Sequence, residues 1–504
     1  MISKNLGKCF DAARWGDKTA LIEPGDFSAE ACRTSYAELD RECDAIARGL
    51  LARGYRAGDR IGLLGENSRA FISAYMGIMR AGMVAVPFSY KLPRPTLAHI
   101  ARDAGLKAIF HDAARTGQCP AGPDLIPLHG RGFDALLDFG PFETHEPAPR
   151  EVGMMLYTSG STGMPKGVLL SHDSQRWSLE RGAKLFGDKD DHIYIVAAPM
   201  FHMNATISTK GALAAGATTV LLPSFDALVY ARSIEAFRVT WLTSVPTMLA
   251  LVAKEADQIG GLDFSSVTDV TMGSAPLTQA LIDKVQALFP RASISNSYGT
   301  TEGGPSPFGP HPEGVTRPAL SLGYPAEGLE IELREGDGPD EGVFYIRGPM
   351  SMEGYNNLPE KTAAVMKDGW YRSGDIMRRD GNGFFYFVGR ADDMFNVGGE
   401  NVWPGEVEKL IETMEGVHQA CVVPAPHETK NLAPFAFVVT RKGSDLTEQA
   451  VKDYTLANGP AYAHPRHVRF IEAIPLAGTN KPDRKLLTER ARAALEAEGN
   501  DTRR

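Results

Sequence analysis

A chain of 504 residues is too long for one ordinary hydrophobic core, so two to four packed units are expected. Apolar residues make up 43% and charged residues 23%, the balance of a soluble globular protein. With 53 basic against 62 acidic residues the formal charge is −9, which argues against a general nucleic-acid binder but allows a small basic patch for a phosphorylated ligand.

Cys9, Cys32, Cys43, Cys119 and Cys421 are scattered without a C-x-x-C pair, so neither a disulfide framework nor a structural zinc site is expected. The N-terminal MISKNLGKCFDAARWGDKTAL lacks an apolar signal-like core. No uninterrupted apolar stretch approaches the roughly 18 residues of a membrane span. A cytoplasmic protein with no integral membrane segment is the simplest expectation.

In chain order, YAELDRECDAIARGLLARG repeats with a period near that of a helix, and Gly54 is placed as its stop. RIGLLG reads as a buried strand, Ser68 to Gly82 as a helix and MVAVPFS as a strand. This alternation predicts an α/β domain with parallel strands. Residues 111–150 are rich in Pro and Gly and read as surface structure. Helices follow at Ser174–Phe186, Ala227–Arg238 and Thr278–Leu288. Strands follow at His192–Ala198, Thr218–Leu222, Trp241–Val245 and Val267–Met272. Past about residue 320, LEIELREG, GVFYIRG and GFFYFVGR predict a β-rich subdomain. A break near Gly389–Asp393 leads to a helix at Pro404–Met414, where Pro404 suits a first turn. Strands near 418–424, Pro434–Thr440 and Val468–Ile471, a helix from Thr447 and a charged helix at 486–497 complete a small α+β domain. The expected division is thus a large domain over 1–390 and a small one over 391–504.

The densest chemistry lies in Tyr157 to His172, YTSGSTGMPKGVLLSH. Two apolar runs flank a loop with glycines at 160, 163 and 167, which can bring backbone N–H groups close to an anion. Thr158, Ser159, Ser161 and Thr162 add hydroxyls, and Lys166 adds a mobile charge. Alone, this is either a surface turn or a phosphate cradle. It is not a nucleoside triphosphatase P-loop, because Pro165 and Gly167 occupy the places of that motif's second glycine and its hydroxyl.

Four further stretches carry functional groups. Asn296-Ser297-Tyr298-Gly299-Thr300-Thr301-Glu302 follows a strand-like run, where α/β folds place ligand contacts. Trp370 to Asp375 ends in Ser-Gly-Asp. Gly389-Arg390-Ala391-Asp392-Asp393 runs on to Gly398-Gly399 and Glu400 to Glu408. Pro475 to Lys485 reads PLAGTNKPDRK. Pro199-Met200-Phe201-His202 and Gly273-Ser274-Ala275-Pro276 are shorter signals.

Together these motifs resemble the adenylate-forming superfamily, and within it the acyl-CoA synthetases, over essentially the whole chain. TSGSTGxPKG is present in full and in order. The resemblance implies a large α/β N-terminal domain with a β-rich subdomain and a small mobile C-terminal α+β domain. It implies ATP and CoA as co-substrates and Mg²⁺ as cofactor. ATP or AMP is then held by Thr158, Ser159, Gly160, Ser161, Thr162, Gly163, Lys166, Gly273, Ser274, Ala275, Pro276, Asn296, Ser297, Tyr298, Gly299, Thr300, Asp375 and Arg390. In this pattern Tyr298 stacks on adenine, Thr301 contacts the α-phosphate and Asp375 accepts the ribose hydroxyls. Thr158 and Glu302 are the expected metal-side oxygens, a donor type Mg²⁺ prefers.

The catalytic set implied is Lys481, Thr301, Glu302 and His202. Asn480 stands where the family has Gly, a position Asn tolerates, and Pro482 biases Lys481 toward extended backbone. Lys485 is the alternative, four residues late. His202, Met203, Asn204, Thr247, Gly273 and Thr300 are the expected acyl pocket, Gly398 and Gly399 flank the pantetheine channel, and Asp392 is the hinge. For the CoA nucleotide, the loop Pro424–Leu432 lacks an aromatic that could stack on adenine, and Tyr462, His464 and Arg466 are the substitutes.

The expected activity is an acid–thiol ligase acting on a small-molecule carboxylic acid, fatty-acid-like first and aryl second. Loading of a separate carrier protein, a luciferase-like oxygenase and a catalytically dead scaffold are the competing readings. No nucleic-acid partner is expected, and a homodimer is left open.

Overall fold

The computed structural model describes the chain except residues 1, 26, 28–29, 159–163, 187–189, 276, 398–399, 428–430, 478–481 and 502–504. By compactness the chain forms two units. One takes Met1–Glu332, Tyr345–Ser373 and Gly381–Phe385, and the other takes Leu333–Phe344, Gly374–Asp380 and Tyr386–Arg504.

The large unit contains two seven-stranded sheets. The first runs Gly354–Tyr355, Lys166–Ser171, Val152–Thr158, Val84–Pro87, Arg60–Leu64, Ala108–His111, Asp124–Pro127. Its strands are parallel from Val152–Thr158 onward, and the two at the other edge are antiparallel. The second runs Ser293–Ser297, Asp269–Gly273, Trp241–Ser244, Ile193–Val196, Thr218–Leu221, Thr19–Glu23, Cys32–Ser35, parallel save for the last pair. The strand-and-helix rhythm of the sequence thus becomes the expected parallel α/β body. Residues 111–150 differ from the expected surface structure: Asp124–Pro127 is an edge strand of the first sheet, Arg131–Asp134 is a short helix, and Phe133 and Leu136 join the core.

Helix Tyr36–Ala52 starts at a reciprocal cap, Ser35 Oγ accepting from Glu38 N while Glu38 accepts from Ser35 N. It ends at Gly54, whose φ is +91°. Helix Arg69–Arg80 is buried along nearly its whole length. One apolar cluster draws Ile61, Ala85 and Met154 from the first sheet and Leu21, Val196 and Leu221 from the second, so the sheets share a core. The second sheet's other face packs Ile195, Val220, Leu242, Val270 and Met272 against helices Ala227–Ala236, Pro246–Lys254 and Gln279–Leu288. Helix Met203–Ala214, which the sequence pattern does not announce, begins directly after the Pro-Met-Phe-His stretch.

The second unit ends in a three-stranded sheet, Val417–His427, Asn431–Thr440 and His467–Phe470. Alternate residues face opposite ways. Ala420, Val422, Ala436 and Val438 meet Val407, Ile411 and Val451 of helices Pro404–Glu412 and Glu448–Asn458. Cys421, Val423, Phe435 and Phe437 meet Leu487 and Ala491 of helix Arg484–Asp501. The strand-rich stretch after residue 320 is present as Glu330–Gly338, Glu341–Arg347, Trp370–Arg379 and Phe385–Arg390.

Candidate active site

Val152–Thr158 and Lys166–Ser171 form an antiparallel hairpin in which Thr158 pairs with Lys166, so the Gly/Ser loop joins two ends held in register. Residues 159–163, which include Ser159, Gly160, Ser161, Thr162 and Gly163, lie outside the described residues. At the mouth of the hairpin two of its expected groups, Thr158 and Lys166, meet one carboxylate and one phenol. Thr158 Oγ1 donates to Glu302 Oε1 at 3.4 Å, and the Tyr355 hydroxyl donates to the same oxygen at 3.1 Å. Lys166 Nζ sits 4.1 Å above the Tyr355 ring. Tyr355 is held in place by backbone pairing with Val168 and by Thr362 Oγ1, which accepts from its N–H at 2.9 Å.

A second set of contacts fixes the hairpin from behind. Tyr157 donates to Asp103 Oδ2 at 2.6 Å, and Asn356 Nδ2 reaches the same carboxylate oxygen at 3.1 Å and the Asp103 carbonyl at 2.8 Å. Burial and the Asp103 carboxylate push the Tyr157 phenol well above its usual range, so it remains a donor.

Thr158 and Glu302 are oxygen donors side by side, which fits a hard cation such as Mg²⁺. Among the described residues no group of three or more His, Cys, Asp or Glu could hold a metal. Two oxygen donors leave room for the waters that Mg²⁺ usually keeps.

Gly273 and Ser297 end neighbouring strands opposite each other. A Cβ at Gly273 would lie 2.2 Å from Ser297 Oγ, so no other residue fits there unless the strand ends move apart. Ser274, next in line, takes a left-handed backbone at φ +67°, while Ala275 is half-buried and Pro276 lies outside the described residues. Asn296 is buried, donates to Leu320 O at 2.9 Å, and its carbonyl accepts from Arg317. Burial lowers the Arg317 guanidinium to about 10. Gly299 and Thr300 pair with Pro305 and Gly304, and Thr300 Oγ1 accepts from Gly303 N at 2.8 Å. The half-buried Tyr298 ring lies 6.2 Å from Phe308, and Thr301 is half-buried between Thr300 and Glu302.

His202 precedes helix Met203–Ala214, and its ring lies 4.6 Å from that of Phe201, tilted by 58°. Met203 and Asn204 are half-buried in the helix's first turn. Asn204 Oδ1 accepts from Ser208 Oγ and from Thr243 Oγ1, both at 3.3 Å. Thr247 is exposed.

In the second unit, Arg390 NH1 donates to Asp375 Oδ1 at 2.8 Å, and Arg390 NH2 to Asp392 Oδ2 at 3.3 Å. Asp375 is buried. Gly374 between Ser373 and Asp375 has φ +73°, and a Cβ there would meet Arg390 NH2 at 3.2 Å. Asp392 lies in a short helical turn, Ala391–Asp393. Arg484 grips both Glu408 oxygens, at 2.6 and 2.9 Å, donates to Val422 O at 2.7 Å, and approaches Asp393 at 3.5 Å. Lys481, Gly398 and Gly399 lie outside the described residues. On either side of them, Leu476 bridges to Pro482 and Val397 pairs with Glu400. Tyr462 and His464 border a cleft beside Trp403 and Glu406, and Arg466 NH1 lies 3.0 Å from His464 Nε2.

Comparison with known proteins matches residues 10–356 to the AMP-binding enzyme family and residues 406–481 to the AMP-binding enzyme C-terminal domain. The chain belongs to the AMP-binding enzyme family. It is an AMP-forming ligase of the kind that includes the CoA ligases, within the adenylate-forming superfamily. It is 32% identical to the feruloyl-CoA synthase of an Amycolatopsis species, over 89% of this chain and 92% of that one. It is 30% identical to the fatty acid–[acyl-carrier-protein] ligase ScoC of Streptomyces coeruleorubidus, over 90% and 91%. Its fold matches ATP-bound MatB from Rhodopseudomonas palustris with a TM-score of 0.85 at 25% identity, covering 97% of this chain and 99% of that one.

Within this AMP-binding enzyme, sequence reasoning passed over Tyr355, Asp103, Ser208, Thr243 and Arg484. The Gly-Tyr-Asn-Asn run at 354–357 offers a short signal, but its partners are distant in the chain. Among the described residues no helix is long and apolar enough to cross a membrane.

Proposed function

We propose that this chain joins a carboxylic acid to a thiol in two steps. The acid carboxylate attacks the α-phosphorus of ATP, the bond to the β-phosphate oxygen breaks, and acyl-AMP and pyrophosphate form. The CoA thiol then attacks the acyl carbon and AMP leaves. The observation that carries this reading is the cluster at the mouth of a Gly/Ser hairpin in which Thr158 and Tyr355 both donate to Glu302 and Lys166 lies over the Tyr355 ring. Displacement at phosphorus needs positioning and charge neutralisation more than covalent help from the protein.

The roles follow the resemblance. Lys166 and the 159–163 loop hold the departing phosphates, Thr301 and Lys481 the α-phosphate, Tyr298 the adenine, and Asp375 with Arg390 the ribose. Mg²⁺ at Thr158 and Glu302 would neutralise phosphate charge. The segment 391–504 turns about Asp392 between steps, exchanging Lys481 for Gly398 and Gly399, so one site serves two transition states.

For the acid, the sequence favours a fatty-acid-like compound over an aryl one, and relatives named for ferulate and for fatty acid represent both classes. ScoC, named for an acyl-carrier-protein, keeps carrier loading as the second reading for the acceptor. Acid-dependent release of pyrophosphate and AMP, measured with and without CoA, tests the proposal. CoA-dependent AMP release supports the ligase; adenylate that accumulates regardless of CoA supports carrier loading.

A further inference from the structure

The two faces of the second sheet differ in character. The face carrying Ile195, Val220, Leu242, Val270 and Met272 is largely apolar, interrupted by the buried Thr218, Ser244 and Asn296. The opposite face is apolar at Leu21, Leu221 and Val196, then changes. Across the last three strands it presents Thr243, Thr271 and Ser295, in register with one another and each half-buried. Burying hydroxyls inside a layered fold costs free energy unless they have partners, so a row of three calls for a specific reason.

These hydroxyls are linked to one another and to the helix that follows His202. Thr243 and Ser208 lie 3.1 Å apart and both donate to Asn204 Oδ1 at 3.3 Å. Thr271 Oγ1 is 3.2 Å from Ser295 Oγ and accepts from Trp241 Nε1 at 3.3 Å. Trp241 closes the band at one end, its ring stacked on Tyr194 at 5.1 Å with 13° between planes. At the other end, two residues along the same strand and on the same face as Thr271, stands Gly273. The band therefore runs from the strand ends that carry Gly273 and Ser297 down to a flat aromatic floor.

We infer that this band is the acyl-binding wall and selects an acid with a flat ring bearing a hydroxyl or ether oxygen over an unsubstituted alkyl chain. The inference rests on reading the site as acid-activating. With its oxygen occupied by two protein hydroxyls, the Asn204 carboxamide presents its NH₂ to a ligand oxygen. An alkyl chain would strip water from five polar side chains and return no hydrogen bond, whereas a substituted ring satisfies one or more of them and stacks near Trp241.

Equilibrium binding of three acyl-sulfamoyl-adenosines, stable mimics of the acyl-adenylate, tests this. The acyl groups are 3-(4-hydroxyphenyl)propanoyl, 3-phenylpropanoyl and decanoyl. All three should bind through the shared nucleotide, the hydroxyaryl compound about tenfold more tightly than either other. Thr243→Val should lose that preference, and Thr243→Ser should keep it. Equal binding of the three, or tightest binding of the decanoyl compound, overturns the substrate inference and leaves acid activation standing. Failure of all three to bind overturns the reading of the site itself.

Discussion

The hydroxyl of Tyr355 donates to Glu302 Oε1 at 3.1 Å, while the ring of the same residue lies 4.1 Å beneath Lys166 Nζ. One side chain thus orients both a carboxylate and a cation at the phosphate-handling hairpin. Tyr355→Phe removes the first contact and keeps the second; Tyr355→Leu removes both. Adenylation kcat should fall about tenfold in the first and further in the second, since a hydrogen bond to a charged group contributes about 1.5–3 kcal/mol. Steady-state pyrophosphate release checks this. Equal activity in wild type and both variants would show that Tyr355 has no positioning role.

Asp375 is buried and bonded to Arg390 at 2.8 Å, so Asp375→Asn weakens both the expected ribose contact and the pair that orients it. The KM for ATP should rise at least about tenfold with the KM for the acid nearly unchanged, on the same hydrogen-bond magnitude. A rise confined to the acid's KM would remove Asp375 from the nucleotide site.

Arg484 lies three positions after Lys481 and is bound to both oxygens of Glu408. Arg484→Met leaves Glu408, which is mostly buried, without its counter-charge. Breaking such a pair costs about 3–5 kcal/mol when fully buried; with Arg484 at 27% exposure, about 2 kcal/mol is expected. Urea unfolding followed by a probe in the small sheet reads this directly. Arg484→Met/Glu408→Met should recover much of the loss, and no recovery would mean the two are not coupled.

Lys210 is fully buried, and among the described residues its hydrogen-bond partners are the Tyr75 hydroxyl at 3.3 Å and the Met154 sulfur at 3.4 Å. Burial lowers its ammonium to about 8 from 10.5. Because the folded value is depressed, the unfolded chain binds more protons between pH 8 and 10.5, and stability rises with pH across that window. Below the window the lysine destabilises the fold by roughly 3 kcal/mol as an order of magnitude. Lys210→Met should therefore be more stable than wild type at pH 7, with the gap closing toward pH 10.5. A pH-independent difference in unfolding free energy would contradict this.

Much of the scaffold was readable because local chemistry and global position agree. Ser68 and Thr447 stand at the expected helix starts, and the structure caps both helices with those side chains. Helix Met203–Ala214 was not readable. Its sequence MNATISTKGALA mixes β-branched residues with Gly, and it buries Ala205, Thr206, Thr209, Lys210 and Leu213 together, so no single apolar stripe marks it. That helix carries Asn204 and Ser208. Asn204 stands in the expected pocket, but its partners Ser208 and Thr243 do not, and the structure places their hydroxyls against it. Tyr355 stayed hidden for a related reason: it sits in a two-residue strand, and its partners Lys166 and Glu302 are distant in the chain.

The fate of ATP distinguishes adenylation from other chemistry. Purified chain given MgATP, a panel of alkyl and hydroxyaryl acids, and CoA can be followed by chromatography of the nucleotide products. The prediction is acid-dependent AMP and pyrophosphate, with acyl-AMP accumulating when CoA is left out and AMP release restored when it is added. Formation of ADP and inorganic phosphate, or AMP release that no acid stimulates, would contradict adenylation as the chemistry of this site.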